Sequence, residues 1–428
     1  MFDTLVRQRA DILGVKSLPC ACYDSSMYRV AALLLFTTAT LPAQVMVSER
    51  RLGSSLSLFA DSVPAATIRC SVSPIQPQLN YGFRFQAGYV VSIPMNQFQG
   101  AGHRWRMITR IIPEDGEKRP VYLVSAFALP VIPETKMEVQ VGGGYLLGEG
   151  AYNVRQVLLD ETGRTCRRDW RVDARLSRGE SKVRVALPPG TVSDLSLRGS
   201  RVPPPPPDDA RPIRLTILLH AAPASPRRTH LRQNDILTLL ASVSSVIERV
   251  PTTSVRLVAF NLDQQKELFR KDGFGLADLP AVGEAMTRME LNLVDAKVLQ
   301  NRRGHVETIA GLVNAELTDP APADAVVFLG PTSRFSDKVP GEVLERTQGG
   351  PQFLFFQLAP WIRGGRGLVG GGRGMMPLGP PESALPDSIR HAVSRLGGKT
   401  MTIRTPGELA KAIDRLEQLA PQRRNGLN

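Results

Sequence analysis

Two pairs of residues in this chain of 428 are of a type and spacing to do chemistry: His220 with Ser225, and Cys70 with Cys166. An imidazole near a hydroxyl is the core of an acyl-transfer site, where the histidine takes the serine proton. No G-x-S-x-G elbow surrounds Ser225, and no acidic residue in that stretch stands ready to orient His220. The remaining histidines, His103, His230, His305 and His391, are scattered. Cys70 and Cys166 lie beside strand-like segments of one domain; in an oxidising compartment they make one disulfide, and otherwise two buried thiols. There is no C-x-x-C pair and no His/Cys cluster at ligand spacing, so structural zinc is excluded and no cofactor is expected.

Two glycine motifs fail on context. Gly365-Arg366-Gly367-Leu368-Val369-Gly370 fits G-x-G-x-x-G, which works only if a helix opens at its last glycine and meets a pyrophosphate. Gly371, Gly372, Pro377, Pro380 and Pro381 prevent that helix, and residues 363–386 read as a Gly/Pro-rich insertion. Gly398-Lys399-Thr400 mimics the end of a phosphate loop, but Val393 stands where the first glycine belongs. The net charge is +13, and 43 of the 53 basic residues are arginines. They are spread over the whole chain, whereas nucleic-acid binders concentrate charge on one element, so no nucleic-acid partner is expected.

The elements that must position these residues begin with an address. Arg29 precedes an apolar run from Val30 to Leu41 and then the small residue Ala43, the pattern of a secretory signal peptide over residues 27–44. Met27 sits where an initiator should, leaving 1–26, with Cys20 and Cys22, as an extension of doubtful status. The run is short for a bilayer span, and no transmembrane segment is expected in the mature chain, which is periplasmic or secreted.

Residues 66–187 alternate with a period of two, as half-buried strands do: Tyr81, Phe83 and Phe85 on one side, and Met137, Val139 and Val141 likewise. Ala151–Asp160 and Arg164–Ala174 flank Glu161-Thr162-Gly163, the signature of a hairpin. Many short strands without a helical period argue for a β-sandwich, with Tyr152 and Trp170 as core anchors. Residues 188–212, with the proline run Pro203–Pro207, read as a polyproline spacer.

Beyond the spacer the period changes. Arg214–His220, Val255–Phe260, Ala325–Leu329 and Phe353–Leu358 are buried strands, and helical faces fall at Asp235–Val250, Leu276–Met289, His305–Leu317, Asp387–Leu396 and Pro406–Leu419. A short strand at Glu267–Phe269 and another at Thr400–Arg404 complete a sheet covered on both faces.

With its closing cadence of helix, Gly397-Gly398, short strand and capped helix, the segment 213–420 resembles a von Willebrand factor A-type domain; residues 421–428 form a tail. The resemblance implies a doubly wound α/β domain after an immunoglobulin-like sandwich, in the manner of exported bacterial proteins. It also implies a divalent cation held by D-x-S-x-S after the first strand and an Asp after the fourth, since hard cations take oxygen ligands. This chain reads His220-Ala221-Ala222-Pro223-Ala224-Ser225 and Phe328-Leu329-Gly330-Pro331-Thr332 at those places, and no metal is expected. The neighbouring loops carry Arg227, Arg228, Arg232, Arg302, Arg303 and Arg334, whose planar guanidinium groups suit carboxylates. The expected function is a non-enzymatic protein-binding module whose partner offers carboxylates; the alternative is an exported hydrolase using His220 and Ser225.

Overall fold

A computed structural model describes residues 44–60, 67–195, 212–225, 228, 230–289, 298, 300–344, 350–359 and 387–419. All of them belong to one compact unit that begins at Gln44. The extension 1–26, nearly all of the signal segment, most of the proline spacer, the 363–386 insertion, the tail and Arg227 lie outside the described residues.

The first half runs β1 (Val45–Val47), α1 (Glu49–Leu52), β2 (Ser71–Leu79), β3 (Phe85–Pro94), β4 (Arg104–Pro113), β5 (Val121–Ala128), β6 (Glu138–Leu147), β7 (Gly150–Asp160), β8 (Thr165–Ala174) and β9 (Val192–Ser193). These strands form two antiparallel sheets, ordered β1-β5-β4-β7-β8 and β2-β3-β6-β9. Inward-facing residues of both sheets, among them Tyr89, Trp105, Tyr145 and Tyr152, fill the space between them. Tyr89 and Thr109 share a hydrogen bond of 2.7 Å from one sheet to the other, which satisfies both buried hydroxyls. Cys70, just before β2, is bonded to Cys166 of β8, with Cα atoms 6.3 Å apart, and so ties an edge of one sheet to an edge of the other. The β7–β8 hairpin turns at Gly163, whose φ of 87° suits glycine. Tyr152 is fully buried, and Trp170 packs edge-on to Tyr89 with ring centroids 5.8 Å apart.

Three boundaries differ from the sequence reading. The sandwich starts well before residue 66: β1 pairs with β5, and Leu52 and Phe59 pack on Ile108, Tyr122 and Val157 on the outer face of the five-stranded sheet. A three-residue strand is too short to show a period, which is why it escaped notice. The first residues of the 188–212 spacer belong to the sandwich as well, because Val192 and Ser193 pair with Leu147 and Leu146. Residues 81–84 form a turn, with Phe83 at a φ of 54°. The Asn80 side chain holds that turn by accepting hydrogen bonds from Gly82 N at 2.9 Å and Arg84 N at 3.1 Å.

The second half runs β10 (Ile213–His220), α2 (Gln233–Arg249), β11 (Thr252–Asn261), β12 (Lys266–Asp272), α3 (Leu279–Thr287), α4 (Gly304–Leu317), β13 (Ala325–Gly330), β14 (Gln352–Leu358), α5 (Ser388–Arg395), β15 (Lys399–Ile403) and α6 (Pro406–Leu419). The sheet order is β12-β11-β10-β13-β14-β15, parallel throughout except for β12 at the edge. Leu215, Ile217 and Leu219 face α2, α3 and α6, while Leu218, Val326 and Phe328 face α4 and α5, so β10 and β13 are buried on both sides. The molecule is thus β-rich, with three sheets and several helices in a multidomain arrangement.

The turn at 81–84 joins the halves. Tyr81 Oη donates to the Arg404 carbonyl at 2.8 Å, Arg84 pairs with Glu248 at 2.7 Å, and the Arg249 guanidinium lies 3.9 Å from the centre of the Phe83 ring. One apolar core runs through both halves without a break.

Candidate functional site

Open α/β sheets bind ligands where the strand order reverses, beyond the carboxyl ends of the strands. Here that point lies between β10 and β13. It is occupied by His220, the last residue of β10, and Gly330, the last of β13.

His220 is buried, stacks on Phe260 with centroids 5.4 Å apart, and has Nδ1 3.2 Å from the Pro331 carbonyl. Burial holds its pKa below the usual imidazole value, opposed by the Pro331 carbonyl and by the charges of Asp387 and Asp263. The ring is therefore neutral at pH 7 and donates Nδ1–H to that carbonyl. Gly330 has a φ of 152°, and a Cβ there would stand 2.6 Å from the His220 carbonyl oxygen. A side chain at that position would clash with the His220 backbone.

Below this point lies a network of buried polar groups. Asp387 caps α5 by accepting from Ile389 N at 2.8 Å and Arg390 N at 3.1 Å, and it also accepts from Ser333 N at 2.9 Å. Gln357 Nε2 donates to Thr332 Oγ1 at 2.8 Å, and Gln357 Oε1 accepts from Arg390 Nη2 at 2.7 Å. Asn261 clamps two loops, donating to the Ala221 carbonyl at 2.7 Å and accepting from Gln264 N at 2.8 Å. These contacts hold the loops after β10, β11 and β13 in fixed relation.

The space between these loops is small, about 10 Å³, and is lined by His220, Leu262, Asp263, Thr332, Arg334 and Phe335. The end of β10 and the loop after it, His220-Ala221-Ala222-Pro223-Ala224-Ser225, hold no carboxylate, and hard cations take oxygen ligands. Among the described residues, no group of three or more His, Cys, Asp or Glu is placed to hold a metal.

The arginines divide. Arg228 is committed to Asp235, at 2.8 Å, and both side chains are largely buried; Asp235 also accepts the Arg232 backbone N–H at the start of α2. This partner-binding candidate thus neutralises a helix-capping carboxylate within its own chain. Arg334 is partly exposed, 3.7 Å from Asp263, and donates to the Arg228 carbonyl. Arg232, Arg302 and Arg303 are exposed. The loop of Arg302 and Arg303 is tied to the same edge, because Gln265 Nε2 donates to the Asn301 carbonyl at 2.8 Å and His305 stacks on Phe335 at 4.0 Å. Sequence reading missed the acids interleaved here, Asp263 and the exposed Asp337, which lies 2.8 Å from His305 Nε2. Ser225 is half-buried, and among the described residues no hydrogen bond joins it to His220.

No protein-family model matches the chain, and no curated protein matches it. Among solved structures it is similar to superoxide reductase (neelaredoxin) from Ignicoccus hospitalis, at 12% identity and a TM-score of 0.18, over 30% of this chain and 91% of that one. The putative ApaA protein from Bordetella pertussis is similar at 16% identity and a TM-score of 0.17, over 27% and 99%. The β-glucuronidase of Bacteroides uniformis is similar at 11% identity and a TM-score of 0.19, over 68% of this chain and 36% of that one. Likenesses at this level carry no argument about function.

Proposed function

We infer that this is an exported, non-enzymatic protein-binding protein: an immunoglobulin-like sandwich joined to a von Willebrand factor A-like domain that works without a metal. The observation that carries this reading is the switch point, where the strand order reverses beside a small pocket and the exposed Arg302 and Arg303. Arg232, Arg302, Arg303 and the partly exposed Arg334 are the groups that take carboxylates of a protein partner. Export draws on the signal-like segment before Gln44. No helix among the described residues is long and apolar enough to cross a membrane.

The hydrolase reading has less support. A general base must reach its nucleophile, and the His220 ring is held by Phe260 and the Pro331 carbonyl with no bond to Ser225.

A crosslinked pull-down of the mature protein from its own envelope fraction, with and without millimolar Mg²⁺ and at rising salt, tests the proposal. Capture of a protein with an acidic surface, independent of Mg²⁺ and weakened by salt, is expected. Capture that requires Mg²⁺ overturns it.

A further inference from the structure

We propose that Gln44 becomes the amino terminus of the mature protein and is converted there to pyroglutamate. The proposal rests on the export reading and adds to it a modification site. Two observations meet at this residue: the small residue Ala43 offers a cleavage point one residue short of the 27–44 bound read from the sequence, and the compact body of the protein begins at Gln44.

Gln44 is fixed in the fold. Its Oε1 accepts the Gly144 N–H of β6 at 2.9 Å, and the next three residues pair with β5 as β1. The Gly144 N–H is open to it because β9 pairs only with Leu146 and Leu147 of β6. Gln44 therefore bridges β6 of the four-stranded sheet and β1, an edge of the five-stranded one, and it is half-buried.

Cleavage after Ala43 would leave a positively charged α-amine beside this anchored side chain. Cyclisation removes the charge. The α-amine nitrogen attacks the side-chain Cδ, the new N–Cδ bond forms, the Cδ–Nε2 bond breaks, and ammonia leaves with the amine proton. No oxidant, reductant or co-substrate is required. The anchoring atom Oε1 survives as the lactam carbonyl, still able to accept the Gly144 N–H.

The test is to express the full chain in an exporting host, label free amines on the native protein, and then identify the amino-terminal peptide by mass. The expected peptide begins at position 44, is lighter than its glutamine form by one ammonia, and carries no label, while the Gln44→Ala variant begins at the same position and is labelled. A labelled glutamine at position 44 overturns cyclisation and leaves export standing. A peptide that begins at Met1 or Met27 overturns both. A pyroglutamyl peptidase should remove the ring at least tenfold faster from denatured than from native protein; equal rates would overturn the anchored placement.

Discussion

Gly330 and His220 meet backbone to side chain at the centre of the α/β sheet: a Cβ on Gly330 would lie 2.8 Å from the His220 Cβ as well as 2.6 Å from its carbonyl oxygen. The contact leaves no room for a side chain at position 330. Gly330→Ala should destabilise the fold by about 2–5 kcal/mol, from the positive φ and the clash with backbone, as read by urea denaturation. Restoring the spacing with His220→Asp, Ala222→Ser and Ala224→Ser should still give no Mg²⁺ heat by titration calorimetry, because the fourth-strand ligand has no room. Micromolar Mg²⁺ binding by that triple variant would refute the argument.

The alternation of long elements was legible because burial imposes it. β10 and β13 read as continuous apolar runs since helices cover both their faces, and α2 shows its apolar stripe because only one of its faces meets the sheet. The pattern at Tyr81, Phe83 and Phe85 misled for a physical reason: Phe83 is buried against Arg249 of the other half, not within a sheet. Arginine pairing was likewise hidden from the sequence. Charge is visible in a sequence, but pairing is not, and Arg228 is consumed by Asp235 seven residues on.

The junction between the halves should make them unfold together. Arg84 and Glu248 have side chains only 11% and 8% exposed, so Arg84→Ala leaves a buried carboxylate without its cation and should cost about 3–5 kcal/mol. Adding Glu248→Ala should recover part of that loss, a coupling readable in a double-mutant cycle. Wild-type protein should show one denaturation transition by fluorescence and by circular dichroism. Two well-separated wild-type transitions would show that the halves are independent.

The Cys70–Cys166 bond closes a loop with a sequence separation of 96. On the chain-entropy account a loop of that length stabilises by roughly 4–5 kcal/mol. The Cys70→Ser, Cys166→Ser variant should lose stability of that order, and the mature wild-type protein should yield a linked peptide pair under non-reducing mass spectrometry. Free thiols at both positions in mature protein would count against it.

A local pH dependence is expected where His103 meets Glu161. The His103 ring is held above its usual pKa by the Gln99 carbonyl at 3.0 Å and then by the Glu161 carboxylate at 2.8 Å. Its contribution is present in full below the ordinary histidine value of 6.5 and is lost as pH rises through the folded-state pKa. Glu161 is pulled down to about 2, chiefly by the Arg104 backbone N–H. Its contribution is present above 4.5 and is lost as pH falls toward about 2. Between these limits both act, so His103→Gln should reduce stability more at about pH 5.5 than at about pH 8.5. An equal loss at both pH values would remove the assignment.

Arg302 and Arg303 are the sharpest test of the arginine surface, because both are exposed while their loop is fixed to the site by Gln265 and His305. Exposed charges contribute little to folding, so Arg302→Glu with Arg303→Glu should change stability by less than about 1 kcal/mol. Against a carboxylate-bearing partner the reversal should act mainly on association, slowing it roughly tenfold at low salt and less at high salt, with dissociation little changed. Arg228→Ala should behave in the opposite way: it strips the cation from the buried Asp235 carboxylate at the start of α2 and so lowers stability first. If the Glu double variant associates as fast as wild type across the salt range, the arginines at this edge are solvated surface charge and the partner binds elsewhere.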